Sequence, residues 1–415
     1  MTSVVAARPS EPWPARPADP LLGHGVASEE VADFGQRVRS LLRAEVLPLA
    51  LQAEEARRFP TDVIRRLGRS GLIRERWSPL PNGDPGKAIL ISEELGHLGF
   101  AGVSIGVSLH MESVLSILTR YARTPLAHHY LEGALDGALI GCLAASEPGG
   151  GSDLLSVQTV LTPCADGWHL RGEKKFVSLS TVADFSLVLC RVDAGDQPAP
   201  GRARLALVIV PRQDMQIRRV LDKAGARSLE TAWVSYDSML PPDAVLGRIG
   251  TGLLLVTYGL THERLAIAAQ IVGVCELATG LATAHLKRRH QFGVALMDHQ
   301  ALRLRLADLV AKTSLLRMGV RAMGTDGRAF GADTARTIAG LKVTAARMGC
   351  DIVSECMHLF GGAGYLDDET PMSRLWRDVR LSRIGAGTDE MMWEMVAGGL
   401  VPDNGSYDEQ VGITC

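Results

Sequence analysis

The 415 residues are too many for one small core and imply two or three packed units. Hydrophobic residues at 46% and charged residues at 22% are ordinary for a globular chain, and 44 basic against 46 acidic residues leave almost no net charge. That balance argues against nucleic acid or a membrane surface as the main partner, and no apolar run is read as long enough to cross a bilayer. The seven cysteines form no CxxC pair, so no metal site and no redox dithiol is expected, and their scatter fits a reducing, cytoplasmic setting.

Residues 1–27 are rich in Pro, Ala and Arg and read as a disordered tail. From Ser28 to about residue 137 the text is helical, with apolar residues recurring at three- and four-residue spacing through Leu47 and again over Asp62–Leu72, Ala88–Leu98 and Ser104–Tyr121. Pro48 is expected to stop or kink the first helix. Residues 138–250 change to short β-prone runs (Ala138–Ala145, Trp168–Ser178, Phe185–Val192, Leu205–Val210 and Thr231–Ser238) separated by turn residues, which predicts a small β-barrel or sandwich. Long helices return over 251–400, and residues 401–415 read as a second tail. The expected class is α+β, with a β domain between two helical ones.

Several stretches have the composition of a site. Ser146-Glu147-Pro148-Gly149-Gly150-Gly151-Ser152-Asp153 can turn backbone N–H groups inward to hold an anion, or simply turn the chain. It has neither the spacing nor the following helix of a dinucleotide fingerprint. In Gly172-Glu173-Lys174-Lys175-Phe176-Val177-Ser178, strand alternation would put Phe176 and Ser178 on one face, which suits a planar ring or a mere core edge. In Leu260-Thr261-His262-Glu263-Arg264-Leu265, the helical neighbours of Glu263 are Gly259, Leu260, Ala266 and Ile267, all apolar. Desolvation there raises a carboxyl pKa toward neutrality, as a general base needs; the other reading is a buried Glu–Arg ion pair. Arg288-Arg289-His290-Gln291-Phe292-Gly293 could clamp a phosphate or mark a basic helix end, and Phe360-Gly361-Gly362-Ala363-Gly364-Tyr365 and Gly385-Ala386-Gly387-Thr388 are glycine turns that admit a ligand or end helices.

Taken together, SEPGGGSD, GEKKF, LTHERL, RRHQFG, DHQ, FGGAGY and GAGTDE follow one another across about 250 residues of an α–β–α layout. This order resembles the acyl-CoA dehydrogenase flavoproteins, from Ser28 to about Gly399. The resemblance implies FAD at a subunit interface, a C-terminal four-helix bundle and a homodimer or homotetramer. It also implies an acyl-CoA or acyl-carrier-protein thioester as substrate and an electron-transfer flavoprotein as electron acceptor. By the same resemblance Ser146, Gly151, Ser152, Phe176 and Ser178 meet the flavin, with Phe176 and Ser178 standing where Trp and Thr are usual. Arg289, Phe292, His358 and Gly362 reach the FAD of a neighbouring subunit, with His358 standing where Gln is common. Thr388 and Glu390 belong to the turn that closes over the cofactor, and Ser152, Arg264 and Gly387 face substrate.

Many members of that family carry the catalytic glutamate at the position of Ala386, which has no proton chemistry. A branch resembling isovaleryl- and long-chain acyl-CoA dehydrogenases takes its base from the helix with the Glu–Arg pair instead, which here is Glu263. The resemblance therefore implies a relocated base. Ala386 still offers its backbone N–H to polarise the thioester carbonyl. A flavin oxidase or monooxygenase on the same scaffold, and a non-catalytic subunit that keeps the fold, are the other readings.

Overall fold

The computed structural model describes residues 29–193, 204–325 and 331–411, so the N-terminal tail and the helix start at Ser28 lie outside the described residues. The N-terminal region is helical throughout. Its first helix, Glu29–Leu41, passes through a π-turn at Leu42–Val46 and resumes as Leu47–Ala56. Pro48 does not stop the run; the irregularity lies in the π-turn immediately before it, where Leu47 N–H reaches back to Leu42 O. A second π-turn, Leu109–Val114, interrupts the helical run Ala101–Tyr121. It buries His110, whose ring bonds Ala134 O at 3.1 Å and accepts from Gly141 N at 3.2 Å. Beneath it Glu112 pairs with buried Arg76, and Trp77 Nε1 donates to Met111 O.

The middle region is one mixed eight-stranded sheet: β1 Gly141–Ala144, β2 Val160–Cys164, β3 Gly167–Ser178, β4 Phe185–Val192, β5 Leu205–Pro211, β6 Gln216–Val220, β7 Thr231–Leu240 and β8 Val245–Leu246. The order is β6-β7-β3-β2-β4-β5-β8, and β1 joins β4 in parallel. The ladder between β3 and β7 slips between Lys174 and Val177, and Phe176 there has φ 66°. The bulge falls just before Val177, which is buried, and Phe176 and Ser178 on either side of it face one cavity, as strand alternation predicts.

The long helix Gly252–Arg288 carries the C-terminal half. Helices Gln300–Thr325, Ala332–Leu359 and Met372–Val379 assemble with it around a second apolar core. The helix Pro85–His97 lies backbone to backbone on it: a Cβ at Gly96 would sit 2.0 Å from Gln270 O, and one at Gly273 would sit 2.0 Å from Glu93 O. Only glycine at both positions permits that approach. Asp378 joins all three regions, accepting from Ala226 N at 2.7 Å and Ala101 N at 3.4 Å. Residues 401–411, read as tail, include the exposed helix Asn404–Val411.

One expectation is corrected. Ala101–Tyr121 and Gly252–Arg288 are both long and apolar enough to cross a membrane by length and composition. Their most apolar windows are mostly buried inside the protein, where continuous apolar sequence serves helices surrounded on several sides.

Candidate active site

A cavity of about 560 Å³ opens where the three regions meet. The long helix supplies one wall through Leu260, Glu263, Arg264, Ile267, Gln270, Ile271 and Val274, a single helical face. The middle region supplies Ser146, Gly151 and Ser152 from the loop after β1 and Phe176, Ser178 and Thr231 from its strands, and the N-terminal region supplies Gly99, Ser104, Ile105 and Leu109. The turn Gly385–Thr388 closes the remaining side.

Glu263 is 7% exposed. Burial pushes its carboxyl up to about 7, and the Ser113 hydroxyl, Arg264 and Lys342 pull only partly back. Ser113 lies in the π-turn Leu109–Val114, the kind of irregularity that turns a side chain toward a site. Arg264 is not spent on an ion pair with its neighbour: its Nε donates to Ala386 O at 2.9 Å. Ala386 and Gly387 both have positive φ, 54° and 110°, which is costly for alanine. Thr388 then starts the helix Asp389–Ala397, its hydroxyl accepting from Met391 N at 3.4 Å.

The glycine-rich loop is anchored by a residue the sequence did not single out. Glu147 accepts from Gln158 N, Thr159 N and Thr159 Oγ1, and pairs with buried Lys174 at 2.8 Å. These bonds offset the desolvation of both charges and fix the loop root. The tip stays open, with nothing within 4 Å of a Cβ built at Gly149 or Gly150. Phe176 is 60% exposed over the cavity, and Ser178 Oγ bonds Thr231 Oγ1 at 2.9 Å. An open glycine cradle, two serine hydroxyls and an exposed aromatic face fit a phosphate-bearing planar group such as FAD.

Of the residues read from sequence, Ser146, Gly151, Ser152, Phe176, Ser178, Glu263, Arg264, Ala386, Gly387 and Thr388 all line this cavity. Arg289, Phe292, His358, Gly362 and Glu390 do not line it. Phe292 is 94% exposed at the tip of the hairpin His290–Gln291/Val294–Ala295, with φ 53°. That hairpin follows the long helix beside the Phe360–Tyr365 turn, joined through His285 stacked on Phe360 at 4.2 Å. Lys342, Gln270 and Ser113 were not foreseen from sequence. Gln270 donates to Ser104 O at 3.0 Å and Ser108 Oγ at 2.5 Å.

The sequence matches models of the acyl-CoA dehydrogenase N-terminal domain over residues 28–138, middle domain over 142–239 and C-terminal domain over 250–401. The chain belongs to the acyl-CoA dehydrogenase family. Members of this family are FAD-binding oxidoreductases that act on CH–CH bonds. An acyl-[acyl-carrier-protein] dehydrogenase MbtN of Mycolicibacterium paratuberculosis is 44% identical over 370 residues, 89% of this chain and 94% of that protein. A short-chain-specific acyl-CoA dehydrogenase of Clostridium acetobutylicum is 29% identical, covering 88% and 96% of the two chains. The crystal structure of an acyl-CoA dehydrogenase from Geobacillus kaustophilus superposes with a TM-score of 0.81 at 27% identity, covering 90% of this chain and 98% of that one.

Proposed function

We propose that this family member carries out FAD-dependent α,β-dehydrogenation of an acyl thioester, with Glu263 as the base. The observation that carries the reading is a buried carboxyl poised near neutrality in the same cavity as the Ala386–Gly387 turn. A carboxyl raised toward neutrality by burial is a strong enough base in its ionised form to take the proton α to a thioester carbonyl. The backbone N–H of Ala386 polarises that carbonyl, and the apolar walls exclude water and strengthen both interactions. FAD, when bound against Ser146, Gly151, Ser152, Phe176 and Ser178, supplies the acceptor for the β-hydride. Arg264 holds the turn through Ala386 O.

A carrier protein is the preferred thioester carrier in this reading. The 44% identity to an acyl-carrier-protein dehydrogenase, against 29% to a short-chain acyl-CoA enzyme, supports it. Anaerobic loss of flavin absorbance, compared between carrier-borne and CoA-borne acyl groups, tests both parts. No bleaching with either class would remove the dehydrogenase reading. An electron-transfer flavoprotein is the proposed electron acceptor.

The cavity also bears on chain length. Val274 lies eleven positions after Glu263 on the same helix face, roughly 16 Å along the axis. That depth suits an extended acyl chain on the order of a dozen carbons. Val274→Trp is expected to lower kcat/KM for lauroyl thioesters about 10- to 100-fold while sparing butyryl thioesters. Equal losses across a chain-length series would refute this placement.

Phe292, His358 and Gly362 are exposed and do not line the chain's own cavity, so we assign them with Arg289 to the cofactor of a second subunit. A ring so exposed on a positive-φ hairpin tip suits an interface. Sedimentation equilibrium of the holoenzyme should give a dimer or tetramer. A monomer at micromolar concentration would rule out this assignment.

A further inference from the structure

Lys342 is fully buried on the helix Ala332–Leu359, and its Nζ donates to Gly387 O at 2.5 Å. It does not line the cavity, so it reaches the turn from behind. The turn is therefore gripped at two successive carbonyls by two cations from different helices, Arg264 on Ala386 O and Lys342 on Gly387 O. In a trans peptide the N–H points opposite to the carbonyl. Fixing these two oxygens fixes the N–H groups of Gly387 and Thr388 the other way, and it fixes the Ala386–Gly387 peptide plane against which the adjoining Ala386 N–H is set. Among the described residues no backbone carbonyl accepts from the N–H of Ala386, Gly387 or Thr388. Consecutive free N–H groups on a positive-φ turn form a concavity for a partial negative charge.

Such a turn does not hold itself. Alanine at φ 54° is strained, and without an outside hold the backbone has no reason to keep these two carbonyls where they are. Burying an ammonium is also costly, and desolvation pushes Lys342 down to about 8. The charged groups that act on it are Asp389 from the following helix and Glu263 and Arg264 from the long helix. Its charge in turn favours the ionised form of Glu263.

We propose that Lys342 is a positioning residue for the thioester carbonyl, holding the Ala386–Gly387–Thr388 turn in the one conformation that presents its N–H groups to substrate. This rests on the dehydrogenase reading of the site. The test uses holoenzyme with its flavin reduced beforehand, so that no turnover occurs. Affinity is measured for an acyl-carrier-protein thioester and for the alkyl-carrier-protein thioether of equal length, which lacks the carbonyl. Lys342→Met should weaken thioester binding about tenfold, leave thioether binding within about twofold and lower kcat on the order of 100-fold. It should also move the acid limb of the pH–kcat/KM profile to higher pH, because Glu263 loses a nearby positive charge. Lys342→Arg should recover part of the thioester preference.

Equal weakening of both ligands, or an unchanged thioester preference, would overturn the proposal in favour of a purely structural lysine. Should Lys342→Met fail to fold, Lys342→Gln, which keeps a neutral donor, is read by the same two affinities. A wild-type enzyme that binds thioester and thioether alike and bleaches with no thioester fails differently: it removes the carbonyl-polarising reading itself.

Discussion

Glu263→Gln is expected to lose turnover on the order of 10³-fold while retaining its fold and its flavin. The substitution keeps the shape of the side chain and removes only its ability to accept a proton. The Ala386–Gly387 turn, the glycine-rich loop and the aromatic at Phe176 are untouched, so substrate and cofactor binding should survive. The measurement is anaerobic stopped-flow bleaching of the flavin by a saturated acyl thioester, with flavin content determined on the same sample. Bleaching at the wild-type rate would remove Glu263 from the role of base. Since Ala386 has no group to offer, the proton would then have to leave by another residue of the cavity.

The same substitution should make the protein more stable at pH 8 and leave it unchanged at pH 4.5. Burial raises the Glu263 carboxyl from 4.5 to about 7 in the folded chain. Between those values the folded state holds more protons than the unfolded state. A raised carboxyl therefore contributes stability that is fully present below about 4.5 and lost as pH climbs through about 7. Above that, the wild-type fold carries an ionised carboxylate in an apolar wall at a cost of about 3 kcal/mol. Glutamine does not ionise and escapes the cost. Thermal scans of both holoenzymes should separate by a few degrees at pH 8 and coincide at pH 4.5. A separation that does not change with pH would show that the carboxyl is not held near neutrality. Activity and stability thus pull in opposite directions at this one residue.

Much of the site was legible in the sequence because its signals are local. The apolar neighbours of Glu263 lie three and four positions away, and that pattern is all a buried carboxyl needs to declare itself. The loop Ser146–Asp153 and the turn Gly385–Thr388 were legible as glycine clusters. The strands Phe185–Val192 and Leu205–Pro211 were legible because they are buried on both faces and read as continuous apolar runs. Val160–Cys164 and Gln216–Val220 were not, since one contains a proline and the other is mostly exposed and polar.

Lys342 was invisible for a different reason. A single lysine in an amphipathic helix reads as a solvated residue, and its partner lies 45 positions away along the chain. The pairing of Glu147 with Lys174 is equally non-local. Ser108, His110 and Met111, although close in sequence to Ile105 and Leu109, do not line the cavity. The π-turn that begins at Leu109 instead turns His110 into the core and leaves Ser108 beneath Gln270.

The carboxylate of Asp378, held up near 6 by burial, bonds one N–H from the N-terminal helices and one from the middle sheet. Removing any one of the three segments strands a buried donor or acceptor in the other two. The regions are therefore joined as one melting unit at this point, and an excised domain would inherit an unmet polar group on its cut face. The cavity is a property of the three regions together: a nascent polypeptide has no such cleft until the turn Gly385–Thr388 closes over the helices that precede the sheet.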